Sequence, residues 1–293
     1  MSQLQDRFRR GLGRALHRVA TKLHDPYTDQ LDQLNRLASQ LAGDLREEVV
    51  RQGDRVLDRM VEFEIRSRRD IIYAGDQDAA LESNVFAREH LVGARHFGTH
   101  AETLEYALSL AKTDGMALEF GVATGTTLRK ISDARGGKEV YGFDSFDGLP
   151  EPWLNGMPAG AFARDDLPDV PGAELVVGLF ADTLPGFLEK HQGHIDFLHV
   201  DGDLYSSAKT VLDHCGPRLR AGSIIQFDEF FNFPGWKRHE YRAWTEYVER
   251  TGIEFVYEAY TYNDNQVTVR ITNIPATAPK PAAKRSTRTT KPA

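Results

Sequence analysis

From Gly115 onward the chain alternates short apolar runs with segments of helical length, and few folds accommodate that pattern. The runs lie at 116–120, 140–143, 175–179, 195–200 and 223–227, with helix-length segments at 127–134, 184–190 and 206–219 between them. Such alternation predicts an α/β fold built on a parallel sheet. Two further runs, 255–262 and 266–272, flank Asn263-Asp264-Asn265, a hairpin signal. The expected sheet therefore has five parallel strands plus a C-terminal antiparallel hairpin strand.

The first 89 residues read differently. Leu4, Phe8, Leu12, Leu16, Val19 and Leu23 step by four or three and share one face of a basic amphipathic helix over 1–24. Asp25-Pro26 is expected to end it. A helical arm over 25–89 follows, with Leu34, Leu37, Leu41, Leu45, Leu57, Met60 and Phe63 at helical spacing and a polar middle of Asp44, Glu48 and Gln52. Shorter helices are expected at 82–89 and 99–112. The arm could pack on a second chain and make a homo-oligomer. The first helix could dock on its own domain or a second subunit, or lie peripherally on an anionic membrane.

Charge separates these parts. Residues 1–24 and 276–293 each carry a net +5, so the overall −7 leaves −17 on residues 25–275. An acidic body argues against a nucleic-acid groove in the core. The Pro/Ala/Lys/Thr-rich stretch 276–293 is expected to be a disordered basic tail. Cys215 is the single cysteine, which excludes an intrachain disulfide and fits a reducing, cytoplasmic setting. No apolar run approaches the roughly 20 residues a membrane span requires.

Chemistry concentrates after the first apolar run of the α/β region. Glu119-Phe120-Gly121-Val122-Ala123-Thr124-Gly125-Thr126-Thr127 joins a strand to a helix. Glycines there let the backbone turn sharply beside a ligand. The G-x-x-x-G spacing, preceded by an acid and followed by hydroxyls, departs from the G-x-G-x-x-G of diphosphate binders. It suits an uncharged or zwitterionic nucleoside, with Glu119 able to receive a cationic amino group. Asp144 ends the second strand, placed to accept from both ribose hydroxyls.

The run Val140-Tyr141-Gly142-Phe143-Asp144-Ser145-Phe146-Asp147-Gly148-Leu149-Pro150-Glu151-Pro152-Trp153 resembles that of the macrocin O-methyltransferase-type enzymes, which are class I S-adenosylmethionine-dependent methyltransferases. Ile195 to Tyr205 and Leu219 to Phe230 add two more blocks, so the resemblance covers about 90–272 in order. It implies a Rossmann-like class I methyltransferase domain over 90–275 that methylates a hydroxyl of a sugar or small natural product. It also implies donor roles by position. Glu119, Gly121, Gly125 and Thr126 would shape the methionine end, Asp144 would hold the ribose, and Ser145 and Phe146 would lie beside the nucleoside. Asp182 would either accept from the adenine amino group or cap the following helix.

Asp201, Asp228 and Glu229 end the fourth and fifth strands and should converge, since adjacent strands lie about 5 Å apart. Bare carboxylates in one cleft repel, so a cation or raised pKa values are expected. Oxygen-only ligands suit Mg²⁺, Ca²⁺ or Mn²⁺. The resembling family carries a divalent metal here, usually on Asp residues, and Glu229 is a departure. Asp201 is a candidate general base, with His239 a second candidate and His199 more readily a packed core residue. Phe231, Phe233 and Trp236 are expected either to wall the acceptor or to shield the site, with Trp153 and the loop 154–164 closing the other side. Two other readings stay open: metal-independent N- or O-methylation, and an inactive scaffold or membrane-surface binder.

Overall fold

The computed structural model describes residues 2–154 and 156–275. The tail expected at 276–293 lies outside the described residues. The chain divides into two compact units, Met1–Asp70 and Ile71 onward.

The first unit is one helix, α1 (Ser2–Arg69). The break expected at Asp25-Pro26 does not occur. A proline inside a helix removes one backbone hydrogen bond and costs about 3 kcal/mol, a local cost that good helix formers on both sides carry across. Just beyond it the Thr28 hydroxyl donates to the His24 carbonyl, 2.9 Å away.

The second unit starts with α2 (Ile71–His90), a helix expected to belong to the arm, and the short strand β1 (Arg95–Phe97). Next comes α3 (His100–Leu110), opened by a reciprocal cap in which Thr99 Oγ1 accepts from the Glu102 N–H and donates to the Glu102 carboxylate. The alternation then runs β2 (Met116–Phe120), α4 (Thr126–Arg135), β3 (Val140–Asp144), β4 (Glu174–Val177), α5 (Phe180–Lys190), β5 (Ile195–Val200), α6 (Tyr205–Cys215), β6 (Leu219–Phe227) and α7 (Glu240–Thr251). The hairpin β7 (Glu254–Thr261) and β8 (Val267–Asn273) closes it.

The eight strands order as β1-β7-β8-β6-β5-β2-β3-β4. β2 to β6 are mutually parallel, as expected. β8 inserts antiparallel between β6 and β7, which returns β7 to the common direction, and β1 adds to β7 in parallel. From β2 the chain builds outward through β3 and β4, then crosses to β5 on the other side. That reversal leaves a crevice above the β2/β5 strand tips, where ligands bind in open α/β sheets.

The pleat assigns the side chains. Leu118, Phe120, Leu198, Val200, Ile225 and Phe227 enter one core with α2, α5, α6 and α7, while Ala117, Phe197 and Ile224 enter another with α3 and α4. Glu119 and His199 share the parity of the second set. The sheet thus directs a buried acid and a buried histidine to one face, immediately beneath the crevice.

Candidate active site

A cleft of about 490 Å³ opens over the tips of β2, β3, β5 and β6. Its lining includes Gly121, Asp144, Ser145, Trp153, Asp201 and Asp203, together with Glu229. The backbone at the tips continues the sheet's ladder. Gly121 N–H donates to the Phe143 carbonyl, Asp201 N–H to Phe120 and Asp228 N–H to Val200, each at 2.9 Å.

Gly121 is required by its neighbour. Its φ is +99°, and a Cβ there would fall 1.8 Å from the Asp201 carbonyl oxygen. Asp144 locks the same turn. One carboxylate oxygen accepts from Val122 N–H (2.9 Å) and Ala123 N–H (2.8 Å), and the other from Phe146 N–H (2.8 Å). A carboxylate offers about four lone-pair sites, so about one remains for a ligand. Ala123, Phe162 and Asp203 line the cleft with left-handed backbones, at φ +44°, +67° and +58°. Such strain, of order 1–3 kcal/mol each, gathers at functional sites.

Beneath the cleft the acids separate into two groups. In the first, His199 Nδ1 lies 2.9 Å from Glu119 Oε1 and its Nε2 lies 3.4 Å from Asp228 Oδ1. Burial alone would lower the imidazole pKa, but the flanking Asp228 and Glu119 carboxylates outweigh it and hold His199 protonated well above its ordinary range. His100 Nε2 sits 3.2 Å from Asp228 Oδ1, and Gln266 donates to Asp228 Oδ2 at 3.3 Å. Burial raises the Asp228 pKa, but His199 and His100 overcome that and bring it below the usual carboxylate value. In the second group Asp201, Asp203 and Glu229 each place an oxygen within 4.8 Å of the others. Burial, then the charge of Asp228, raises all three; Asp203 is pushed up to about 7.

The expected trio of Asp201, Asp228 and Glu229 therefore does not meet at one point. Asp228 and Glu229 are consecutive, and successive residues at a strand end point to opposite sides. Asp228 follows Gln226 and His199 to the α3 side, and Glu229 turns to Asp201. Asp203 fills the vacated place. It belongs to the Asp201-Gly202-Asp203 run, where repetition of the acid was the available signal. The second group suits a hard divalent cation: its donors are all carboxylate oxygens, and Glu229 Oε2 is buried without a protein partner. Behind it, Glu240 Oε2 accepts from the Glu229 N–H at 3.0 Å.

Other expected residues take varied places. Gly125 caps α4 with φ +73°. Thr126 is exposed, sharing a 2.8 Å hydroxyl contact with Thr124 outside the lining. Ser145 lines the cleft, whereas the Phe146 ring is buried in the core with Val122, Leu128 and Val170. Asp182 is exposed in the first turn of α5, and that helix has no side-chain cap. Its neighbours Phe180 and Ala181 face the cleft. His239 does not line the cleft; its ring meets Trp153 edge-on at 6.4 Å, and Trp153 stands in the lining.

The aromatic wall expected from Phe231, Phe233 and Trp236 is corrected. All three are buried in the larger core. Trp236 packs on Phe86 of α2 at 5.6 Å and on Tyr241 at 4.8 Å, which places it in the core and not in the cleft lining. The apolar lining comes instead from Leu149, Pro150, Trp153, Phe162, Leu179 and Phe180.

Replacing His199 with leucine should cost about 3–5 kcal/mol, because it removes the shared partner of the Glu119 and Asp228 carboxylates. Urea denaturation measures it, and a loss below about 1 kcal/mol would contradict the ion-pair assignment.

Residues 118–230 match the family model described as "Methyltransferase domain". The 8-demethyl-8-(2,3-dimethoxy-alpha-L-rhamnosyl)-tetracenomycin-C 4'-O-methyltransferase of Streptomyces olivaceus is 28% identical over 158 residues, covering 44% of this chain and 59% of that protein. Solved structures similar to the chain include the calicheamicin methyltransferase CalS11 (24% identity, 58% of this chain and 76% of that one, TM-score 0.44). The O-methyltransferase NovP is another (24% identity, 58% and 79%, TM-score 0.41). The matched segment runs from within β2 to just beyond β6 and holds the glycine turn and the acids that frame the cleft.

Proposed function

We propose that the chain transfers a methyl group from S-adenosylmethionine to a hydroxyl oxygen, with a divalent cation assisting. The observation that carries this reading is the meeting of Asp201, Asp203 and Glu229 beside a glycine turn locked by Asp144. The turn offers a nucleoside a close backbone approach and Asp144's remaining lone pair. The acids line the same cleft.

In the transfer, the acceptor oxygen attacks the sulfonium methyl in line; an O–C bond forms, the S–C bond breaks, and S-adenosylhomocysteine leaves. The hydroxyl proton goes to a carboxylate. Asp201 fits that role, since burial raises its affinity for a proton and its backbone is fixed against Phe120. Asp203 and Glu229 complete the oxygen set. A bound cation there would lower the pKa of the acceptor hydroxyl and orient it. The imidazolium of His199 holds Asp228 back from that set, and Trp153 and Phe162 add aromatic rings to the lining. Positioning of the two substrates supplies much of the rate.

The relative's name places its methyl group on a rhamnosyl 4'-oxygen. We take a deoxysugar hydroxyl on a natural product as the acceptor class. Formation of S-adenosylhomocysteine with a panel of rhamnosyl glycosides tests it; no turnover above the acceptor-free rate with any of them would remove that acceptor class.

The cation reading has a pH signature. Asp203 is raised to about 7, so between its ordinary value near 3.8 and about 7 the folded chain keeps a proton that the unfolded chain releases. Stability from this group is greatest at low pH and falls as pH rises through 7. A cation needs the ionised carboxylates, so its stabilisation should be small near pH 5 and large near pH 8. At a hundredfold excess over Kd it should reach about 2.7 kcal/mol, or roughly 5 °C or more in Tm. Thermal melts with Mg²⁺ or Mn²⁺ at both pH values check this; equal shifts at both would contradict it.

A further inference from the structure

Thirteen apolar residues of α1 form a regular stripe, while Leu31, Leu37, Val50, Leu57, Val61, Phe63 and Ile65 lie off it. Phe8, Leu12, Leu16, Val19, Leu23, Tyr27, Leu34, Ala38, Leu41, Leu45, Val49, Val56 and Met60 fall on one repeating step of 4, 4 and 3 residues. The same register includes only two polar positions in that span, Gln30 and Gln52. Eleven residues in three turns is 3.67 per turn, close to the natural twist of a helix, so the stripe stays on one side of the rod with slight right-handed drift. At about 1.5 Å per residue it runs for roughly 80 Å.

Among the described residues, none of this face is covered within its unit. The stripe residues Phe8, Leu12, Leu16, Val19, Tyr27, Leu34, Leu41, Leu45, Val49, Val56 and Met60 are between 54% and 76% exposed. An isolated helix gains nothing from such a stripe, and contiguous apolar surface of that extent marks an interaction site.

We propose that α1 pairs along this stripe with α1 of a second copy of the chain, as a coiled coil of 11-residue period. Three observations select that occupant. First, the area suffices. Burying an aliphatic side chain removes on the order of 60 Å² from water. The stripe therefore offers about 650 Å² per helix, near the roughly 800 Å² per partner of a stable interface. Second, the polar positions match themselves. Gln30 and Gln52 stand two whole repeats apart, so a second copy sets amide opposite amide, whether aligned in register or reversed about Leu41. Each amide both donates and accepts, so such layers are satisfied, and polar layers of this kind fix register in coiled coils. An unrelated apolar groove would leave both amides buried and unpaired. Third, charge argues against a lipid surface along most of the rod. Residues 1–24 carry a net +5, whereas 25–70 carries eleven acids against eight arginines, and the stripe continues through both.

The experiment uses the full chain. Light scattering on the size-exclusion peak should give at least twice the chain mass of 32.9 kDa. Leu34→Glu with Leu45→Glu, two stripe positions, should return it to one chain mass and reduce the helical circular dichroism. Ser39→Glu with Gly43→Glu, on the opposite face, should leave the mass of the parent. The thermal unfolding of the methyltransferase domain should be the same in all three, which separates lost pairing from misfolding. A parent of single-chain mass at tens of micromolar would overturn the proposal, as would a Leu34/Leu45 variant that keeps the parent's mass. Pelleting of the parent with anionic vesicles, at single-chain mass in their absence, would assign the stripe to a membrane instead.

Discussion

Asp201→Asn should abolish methyl transfer, by about a thousandfold or more, while S-adenosylmethionine binding stays near the parent value. The substitution removes a candidate base and one oxygen ligand of the acid group together. General base catalysis contributes 10²–10⁴, and cation assistance adds to it. The fold should not suffer. Asp201 is half-buried, and desolvation and then the charge of Asp228 raise its pKa, so a neutral isostere relieves both. The informative signature is thus a large fall in turnover with an unchanged or slightly raised Tm. Loss of activity in step with loss of stability would mean that Asp201 serves the fold instead.

Gly121→Ala should be the most damaging small substitution in the donor turn. A methyl at this position would sit 1.8 Å from the Asp201 carbonyl, on a backbone held at φ +99°. Left-handed backbone costs an alanine about 1–2 kcal/mol, and forced overpacking adds 1–3 kcal/mol. A loss of about 4 kcal/mol lowers Tm by roughly 8–15 °C. Because Gly121 joins the β2 tip to the β5 tip, the donor should no longer bind. Gly136→Ala is the control. It carries φ +61° but has open space around its Cβ, so only the conformational cost applies. Equal effects at the two glycines would show that close approach is not the reason for Gly121.

What the sequence revealed follows from which forces are local. Parallel strands buried on both faces are continuous apolar runs, and the run at 195–200 coincides with β5 to the residue. The strand-tip positions of Glu119, Asp144, Asp201 and Asp228 followed from those runs. What the acids do there did not, because it depends on pleat and turn. Asp228 and Glu229 part because they are neighbours on an extended backbone, and Asp203 joins Asp201 only through the left-handed bend at its own φ of +58°. The aromatic cluster after β6 offers the same lesson. Phe231, Phe233 and Trp236 have the composition of a binding wall, yet α2 supplies Phe86 from 145 residues upstream in Phe231's numbering and makes them core. The edge strand β1 went unread because Arg95-His96-Phe97 is short, polar and largely exposed. At Pro26 a strong local signal gave way to the continuity of a long rod.

Titration calorimetry with S-adenosylmethionine, on the parent and on Asp144→Ala, tests the central claim most directly. The parent should bind one donor per chain with micromolar affinity, and the variant, which releases the Val122, Ala123 and Phe146 N–H groups, should bind at least a hundredfold more weakly, about 2.7 kcal/mol. Absence of binding by the parent at hundreds of micromolar would contradict the claim.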